Sequence, residues 1–182
     1  MIDKKEYICS MPFQYTEVFD DRQYLCCPSW LDVDVWDGKS IKSSFNSDKS
    51  KEVRESILDG SYKYCNEKQC PYLSGLKNNN LSKKFIKKDK KIINNLRSNV
   101  EIKTVNFCFD RSCNFQCPSC RSELINYYGK DRDQVEVKLK EITDEISATV
   151  KILYLTGTAD PFYSKSFRKF LEKLDSTKFK KL

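Results

Sequence analysis

The stretch FCFDRSCNFQCPSCRSE, residues 107–123, decides how the second half of the chain is read. Cys113, Cys117 and Cys120 are spaced C-x3-C-x2-C, and Cys108 stands five residues upstream. The surroundings are regular. KTVNFCF (103–109) reads as a strand, and a helix from about Asp133 carries Val135, Leu139, Ile142 and Ile146 on one face. KILYLTG (151–157) reads as a second strand, followed by the loop TADPFY. Ser164 then caps a last helix with Phe167, Phe170, Leu171 and Leu174 on one face. The order β-loop-α-β-loop-α predicts an α/β fold with parallel strands and a right-handed crossover. Both loops then leave the C-terminal ends of adjacent strands, the rim at which such folds bind ligands.

The 182 residues suffice for one ordinary domain or two small ones. With 39% apolar residues a core can be buried. The net charge of +7, from 33 Lys+Arg against 26 Asp+Glu, is mild and well mixed, unlike the charge block of a dedicated nucleic-acid binder. No apolar run approaches the ~20 residues of a membrane span. MIDKKEYICS has no apolar h-region, so no signal peptide and no membrane role are expected. Nine cysteines stand beside no histidine. An odd count without an export signal argues against a secreted disulfide framework and for a cytoplasmic protein whose grouped cysteines hold metal. The lack of histidine removes mixed Cys/His zinc fingers and histidine-assisted catalysis.

The other cysteines are Cys9, Cys26, Cys27, Cys65 and Cys70. They define a small α+β domain over residues 1–76, followed by a Lys-rich linker helix over 77–99 and the α/β part over 100–182. Within the first domain, TEVFDDRQYLCC reads as two short strands around a turn at Asp20-Asp21. Ser47 caps a helix carrying Val53, Ile57 and Leu58, which stops at Asp59-Gly60. Little regular structure joins Cys65 and Cys70 to the rest, so a shared metal is expected to hold that segment. In the linker, Leu81, Phe85, Ile86, Ile92, Ile93 and Leu96 recur near a 3.6-residue period, and the interspersed lysines read as a solvated face.

Three chemistries compete for C-x3-C-x2-C. A structural zinc site needs four ligands, and the fourth would be Cys108, inside a predicted strand. Cys117-Pro-Ser-Cys120 has the C-x-x-C form of a thiol oxidoreductase, which leaves Cys113 without a role. Three thiolates on one loop also suit an iron–sulfur cluster with one iron open to another ligand.

CNFQCPSC after a strand resembles the cluster loop of radical S-adenosylmethionine (SAM) enzymes. The resemblance implies that Cys113, Cys117 and Cys120 hold a four-iron, four-sulfur cluster whose open iron is chelated by SAM. Ser119 stands where that family often has an aromatic residue. LTGTADPF (155–162) resembles the family's Gly-Gly-Glu-Pro-like segment. This implies that Gly157, Thr158, Ala159, Asp160 and Pro161 bind the cofactor, with Thr158–Pro161 at the four motif positions. Cys9, Cys26, Cys65 and Cys70 resemble the ligands of the SPASM and twitch domains, which implies a second iron–sulfur cluster. Cys27 is the neighbour of the expected ligand.

By resemblance the fold is thus a SPASM/twitch-like domain followed by the first two β/α units of a partial TIM barrel. The implied activity is reductive cleavage of SAM to a 5′-deoxyadenosyl radical that takes hydrogen from an unknown substrate. An electron donor such as flavodoxin or ferredoxin is implied as partner. Two β/α units fall short of such a barrel and leave apolar sheet surface uncovered, so the chain is expected to be part of a longer protein. The alternatives carried forward are a non-catalytic, zinc-stabilised binding module and a C-x-x-C thiol oxidoreductase.

Overall fold

The computed structural model describes residues 2–117, 120, 123–155, 158–175 and 177. The chain divides into two units, Met1–Glu17 with Asp21–Ile102 and Val18–Asp20 with Lys103–Leu182. Among the described residues, no helix is long and apolar enough to cross a membrane.

The first unit runs β1 (Tyr7–Cys9), α1 (Met11–Gln14), β2 (Tyr15–Val18), β3 (Gln23–Tyr24), α2 (Ile41–Phe45), α3 (Asp48–Leu58), α4 (Pro71–Lys77), β4 (Phe85–Lys87) and α5 (Lys90–Ser98). The strands on either side of Asp20-Asp21 lie side by side, as the sequence predicts. At α3 the Ser47 side chain accepts from the Ser50 N–H, and Val53, Ile57 and Leu58 are buried. Ile8, Phe13, Tyr62, Leu73, Leu76 and Phe85 join Ile57 and Leu58 in one core. Beneath α3, the Arg54 guanidinium is buried and donates to the carbonyls of Pro12 (2.8 Å) and Phe45 (2.6 Å). Burial lowers its pKa to about 10.

The turn after α3 depends on Gly60, whose φ is +84°. A Cβ there would sit 3.0 Å from the Cα of Lys5. Left-handed backbone costs an ordinary residue roughly 1–2 kcal/mol, and the close approach adds to it. Gly60→Ala is therefore expected to lower the stability of the first unit by at least that much in a urea titration. An unchanged midpoint would show that the turn relaxes.

The stretch 77–99 corrects the expected linker helix. Instead of one helix it forms the end of α4, β4 and α5, all within the first unit. Phe85, Ile86 and Lys87 pair antiparallel with Cys9, Ile8 and Tyr7. A new helix then starts at Asp89, whose carboxylate accepts from the Ile92 N–H at 2.8 Å. Pairing with β1, nearly 80 residues earlier in sequence, overrides the weak helical periodicity at Phe85 and Ile86. Ile92, Ile93 and Leu96 do pack against the core, while Leu81 stays exposed.

The second unit holds β5 (Thr104–Phe107), α6 (Gly129–Ile146), β6 (Ile152–Tyr154) and α7 (Lys165–Lys173). β5 and β6 pair in parallel, with Thr104 opposite Ile152 and Asn106 opposite Tyr154. The mixed α/β class read from the element order is what the structure has. The Val18 carbonyl accepts from the Cys108 N–H at 2.8 Å. Lys138 donates to the carbonyls of Phe19 (2.6 Å) and Asp20 and lies over the Phe109 ring. α6 begins four residues before the expected Asp133 and buries Val135, Leu139, Ile142 and Ile146. Phe109 meets Phe107 and Phe167 edge-on or tilted, with ring centres 5.3 and 6.3 Å apart. On β6, Ile152 and Tyr154 remain 46% and 47% exposed, apolar surface that the described residues do not cover.

Candidate functional site

Two groups of cysteines form, one in each unit. In the second unit the chain leaves β5 and stays buried through Cys108, Phe109 and Asp110 before the cysteine loop opens. Cys113 is buried, and its N–H donates to the Ile125 carbonyl at 2.7 Å, in an isolated antiparallel bridge that closes the base of the loop. Its Sγ accepts from the Phe115 N–H at 3.5 Å. Cys117 and Cys120 are exposed, and the Cys120 N–H donates to the Cys117 carbonyl at 2.9 Å. Pro118, Ser119, Arg121 and Ser122 lie outside the described residues. Cys108 is buried on the strand side of this loop.

The loop after β6 meets the cysteine loop through Asp110, a residue that the sequence reading did not single out. Asp110 is 1% exposed. Its carboxylate accepts from the Ser112 N–H (2.8 Å) and from the Ser164 hydroxyl, and its carbonyl accepts from the Thr158 hydroxyl (2.8 Å). The Asp160 N–H donates to the Ser112 carbonyl at 3.1 Å. The Asp160 carboxylate accepts from the Phe162 N–H at 2.9 Å, and its carbonyl accepts from the N–H groups of Tyr163 and Ser164. Ser164 in turn caps α7 by accepting from the Phe167 N–H at 3.0 Å. Thr158 and Asp160 are thus tied by backbone and side chain to the segment just before Cys113. Ala159 and Pro161 are half-buried beside them, and Gly157 lies outside the described residues.

A buried carboxylate with two such contacts is costly to remove. Asp110→Ala leaves the Ser112 N–H and the Ser164 hydroxyl without their acceptor. Losing charge-assisted hydrogen bonds of this kind costs about 2–3 kcal/mol. Asp110→Asn, which keeps one acceptor oxygen, is expected to lose less. Urea unfolding of the two variants measures the difference, and equal stabilities would remove Asp110 from this role.

In the first unit four cysteines come together from four places in the fold. Cys9 ends β1, Cys26 follows β3, Cys65 lies between α3 and α4, and Cys70 precedes α4. All four line one cavity of about 20 Å³ whose walls include Pro12, Trp30 and Tyr62. Cys26 faces this cavity and its neighbour Cys27 does not contribute to the lining. The Cys27 carbonyl instead accepts from the N–H groups of Trp30 and Leu31.

Burial pushes the Cys9 and Cys65 thiols up to about 12, and raises Cys26 as well. The neighbouring cysteines add to the rise, because a second thiolate in the same apolar pocket is repelled by the first. A metal bound here would therefore displace protons from the thiols. The donor set, soft sulfurs in an apolar pocket without competing carboxylates in its walls, suits zinc or an iron–sulfur cluster. Among the described residues no group of three or more Cys, Asp or Glu side chains is already arranged to hold a metal ion. Loading either site thus requires the thiols to turn toward the metal. Comparison with family models, curated proteins and solved structures finds no match to this chain.

Proposed function

We propose that the chain is the cluster-bearing part of a radical SAM enzyme, with an auxiliary metal site in its first unit. One observation carries the reading. The three-cysteine loop and the loop after β6 leave the same ends of two parallel, adjacent strands, and Asp110 and Ser112 bind Thr158 and Asp160 directly. A cofactor held by the cysteines of one loop and the backbone of the other would need this adjacency.

Cys113, Cys117 and Cys120 would hold the main cluster. The backbone from Gly157 to Pro161 would meet SAM. When bound, the cluster and SAM supply reductive cleavage of SAM to a 5′-deoxyadenosyl radical. The chain's own part is positional. The bridge from Cys113 to Ile125 fixes one ligand, while the exposed Cys117 and Cys120 are accessible for loading. Cys9, Cys26, Cys65 and Cys70 would hold the second cluster, sheltered from water by Trp30 and Tyr62. Substrate and electron donor, flavodoxin or ferredoxin by the family resemblance, are further parts of this proposal.

Anaerobic reconstitution with ferrous iron and sulfide tests it. The expected product is brown protein whose visible absorption changes on adding SAM. Colourless protein holding stoichiometric zinc would overturn it in favour of a zinc-stabilised binding module. A second reading draws on the exposure of Cys117 and Cys120, which suits a C-x-x-C thiol oxidoreductase. It expects disulfide exchange that persists in Cys113→Ala.

A further inference from the structure

Tyr62 lies in the stretch ILDGSYKYC between α3 and Cys65, and nothing in its sequence context marks it. In the fold it is the only tyrosine among the described residues with positive φ, +51°. A bulky residue in left-handed backbone is strained, and such strain persists only where the surroundings hold it. Its side chain is 2% exposed and forms part of the cavity wall beside Cys9, Cys26, Cys65 and Cys70.

Every polar group of Tyr62 is engaged around that cavity. Its hydroxyl accepts from the Cys9 N–H at 3.2 Å and donates to the Tyr7 carbonyl at 2.8 Å. Its carbonyl accepts from the Cys65 N–H at 2.9 Å, and its own N–H donates to the Ser56 carbonyl at 2.8 Å, on α3. Lys4 lies over the ring, 5.9 Å from its centre.

We propose that Tyr62 is the positioning residue of the four-cysteine site, fixing Cys9 through its hydroxyl and Cys65 through its strained backbone. The inference rests on the reading of this site as a metal centre. Cys9 and Cys65 come from elements more than 50 residues apart, and Tyr62 reaches both, its hydroxyl accepting from the Cys9 N–H and its backbone carbonyl from the Cys65 N–H. With the hydroxyl in place, the Cys9 backbone is held at a set distance from Cys65, so their thiols approach a common metal without reordering the chain. The left-handed backbone at Tyr62 turns the ring back over the cavity while its carbonyl points forward to Cys65. A residue at ordinary φ would not do both.

The test uses the full chain with Cys113, Cys117 and Cys120 replaced by serine, so that iron can enter only the four-cysteine site. This parent and its Tyr62→Phe derivative are reconstituted anaerobically with ferrous iron and sulfide. Tyr62→Phe keeps the ring and removes only the hydroxyl. It is expected to take up iron but release it to a chelator about tenfold faster, with a shifted reduction potential, as loss of a hydrogen bond supporting a metal ligand does. Tyr64→Phe, whose hydroxyl reaches only exposed Glu52 at 3.4 Å, is expected to match the parent.

Release and potential unchanged in Tyr62→Phe would overturn the assignment while leaving the metal site standing. A parent that takes up no iron would overturn the metal-site reading, and the role of Tyr62 with it. Should Tyr62→Phe not fold, amide exchange in the parent decides. The Cys9 and Cys65 N–H groups are expected to exchange at least tenfold more slowly after loading, and unchanged exchange would overturn the proposal.

Discussion

Cys113→Ala, reconstituted with iron and sulfide under anaerobic conditions, is expected to lose the SAM-dependent change in visible absorption completely. On the proposed reading, three thiolates would leave one iron open for SAM, and two would not hold the cluster in that state. Cys113 is the cysteine of the loop that the fold anchors, by its bridge to Ile125 and by the N–H of Phe115. Cys108→Ala is the matched control. Cys108 is equally buried, but it lies on the strand side of the loop, where its N–H donates to the Val18 carbonyl. Its loss is expected to cost stability typical of a small buried side chain and to leave the SAM response intact. A SAM-responsive Cys113→Ala protein would sink the three-thiolate assignment. Retained disulfide exchange in the same variant, without a SAM response, would move the loop to thiol oxidoreductase chemistry.

The second large effect is expected in the first unit. Cys26→Ser is expected to remove metal from the four-cysteine site and unfold much of that unit, whereas Cys27→Ser retains both metal and fold. Cys26 shares its cavity with Cys9, Cys65 and Cys70, while the Cys27 carbonyl secures Trp30 and Leu31. The segments that bring the four thiols together are short. β1 and β4 have three residues each and β3 has two. Short strands of this kind contribute little by themselves. Structural metal in a small thiolate domain supplies roughly 10–16 kcal/mol of apparent binding energy, comparable to an ordinary domain's whole stability of about 5–15 kcal/mol. Far-ultraviolet circular dichroism and metal content, measured on both variants and on chelator-treated parent, check this. Cys27→Ser losing metal while Cys26→Ser keeps it would reverse the ligand assignment.

Local signals carried much of the fold. Ser47 and Ser164 were legible as helix caps because a serine hydroxyl ahead of an apolar-periodic run accepts one of the helix's unpaired N–H groups. Gly60 was legible as a stop because glycine takes left-handed backbone without cost. The parallel pairing of β5 and β6 followed from the helix between them. The expected linker helix gives way to a strand because β4 has no local signature. Three residues are too few to display alternation, and the partner strand is at the other end of the unit.

By itself, then, the sequence determined which chemistry is available. Nine thiols without histidine leave thiolates and carboxylates as the candidate ligands, and C-x3-C-x2-C puts three of the thiols on one loop after a strand. Those are properties of side-chain identity and spacing, and they survive any folding of the chain. The tertiary structure decided which groups meet. It chose Cys26 over Cys27 for the cavity and brought in Tyr62 and Asp110, whose sequence neighbours give no hint of either role. It also buried Arg54 between two carbonyl oxygens. Hydrogen bonds to backbone groups from distant segments depend on how the chain returns on itself, and the identity of the donor residue does not encode that return.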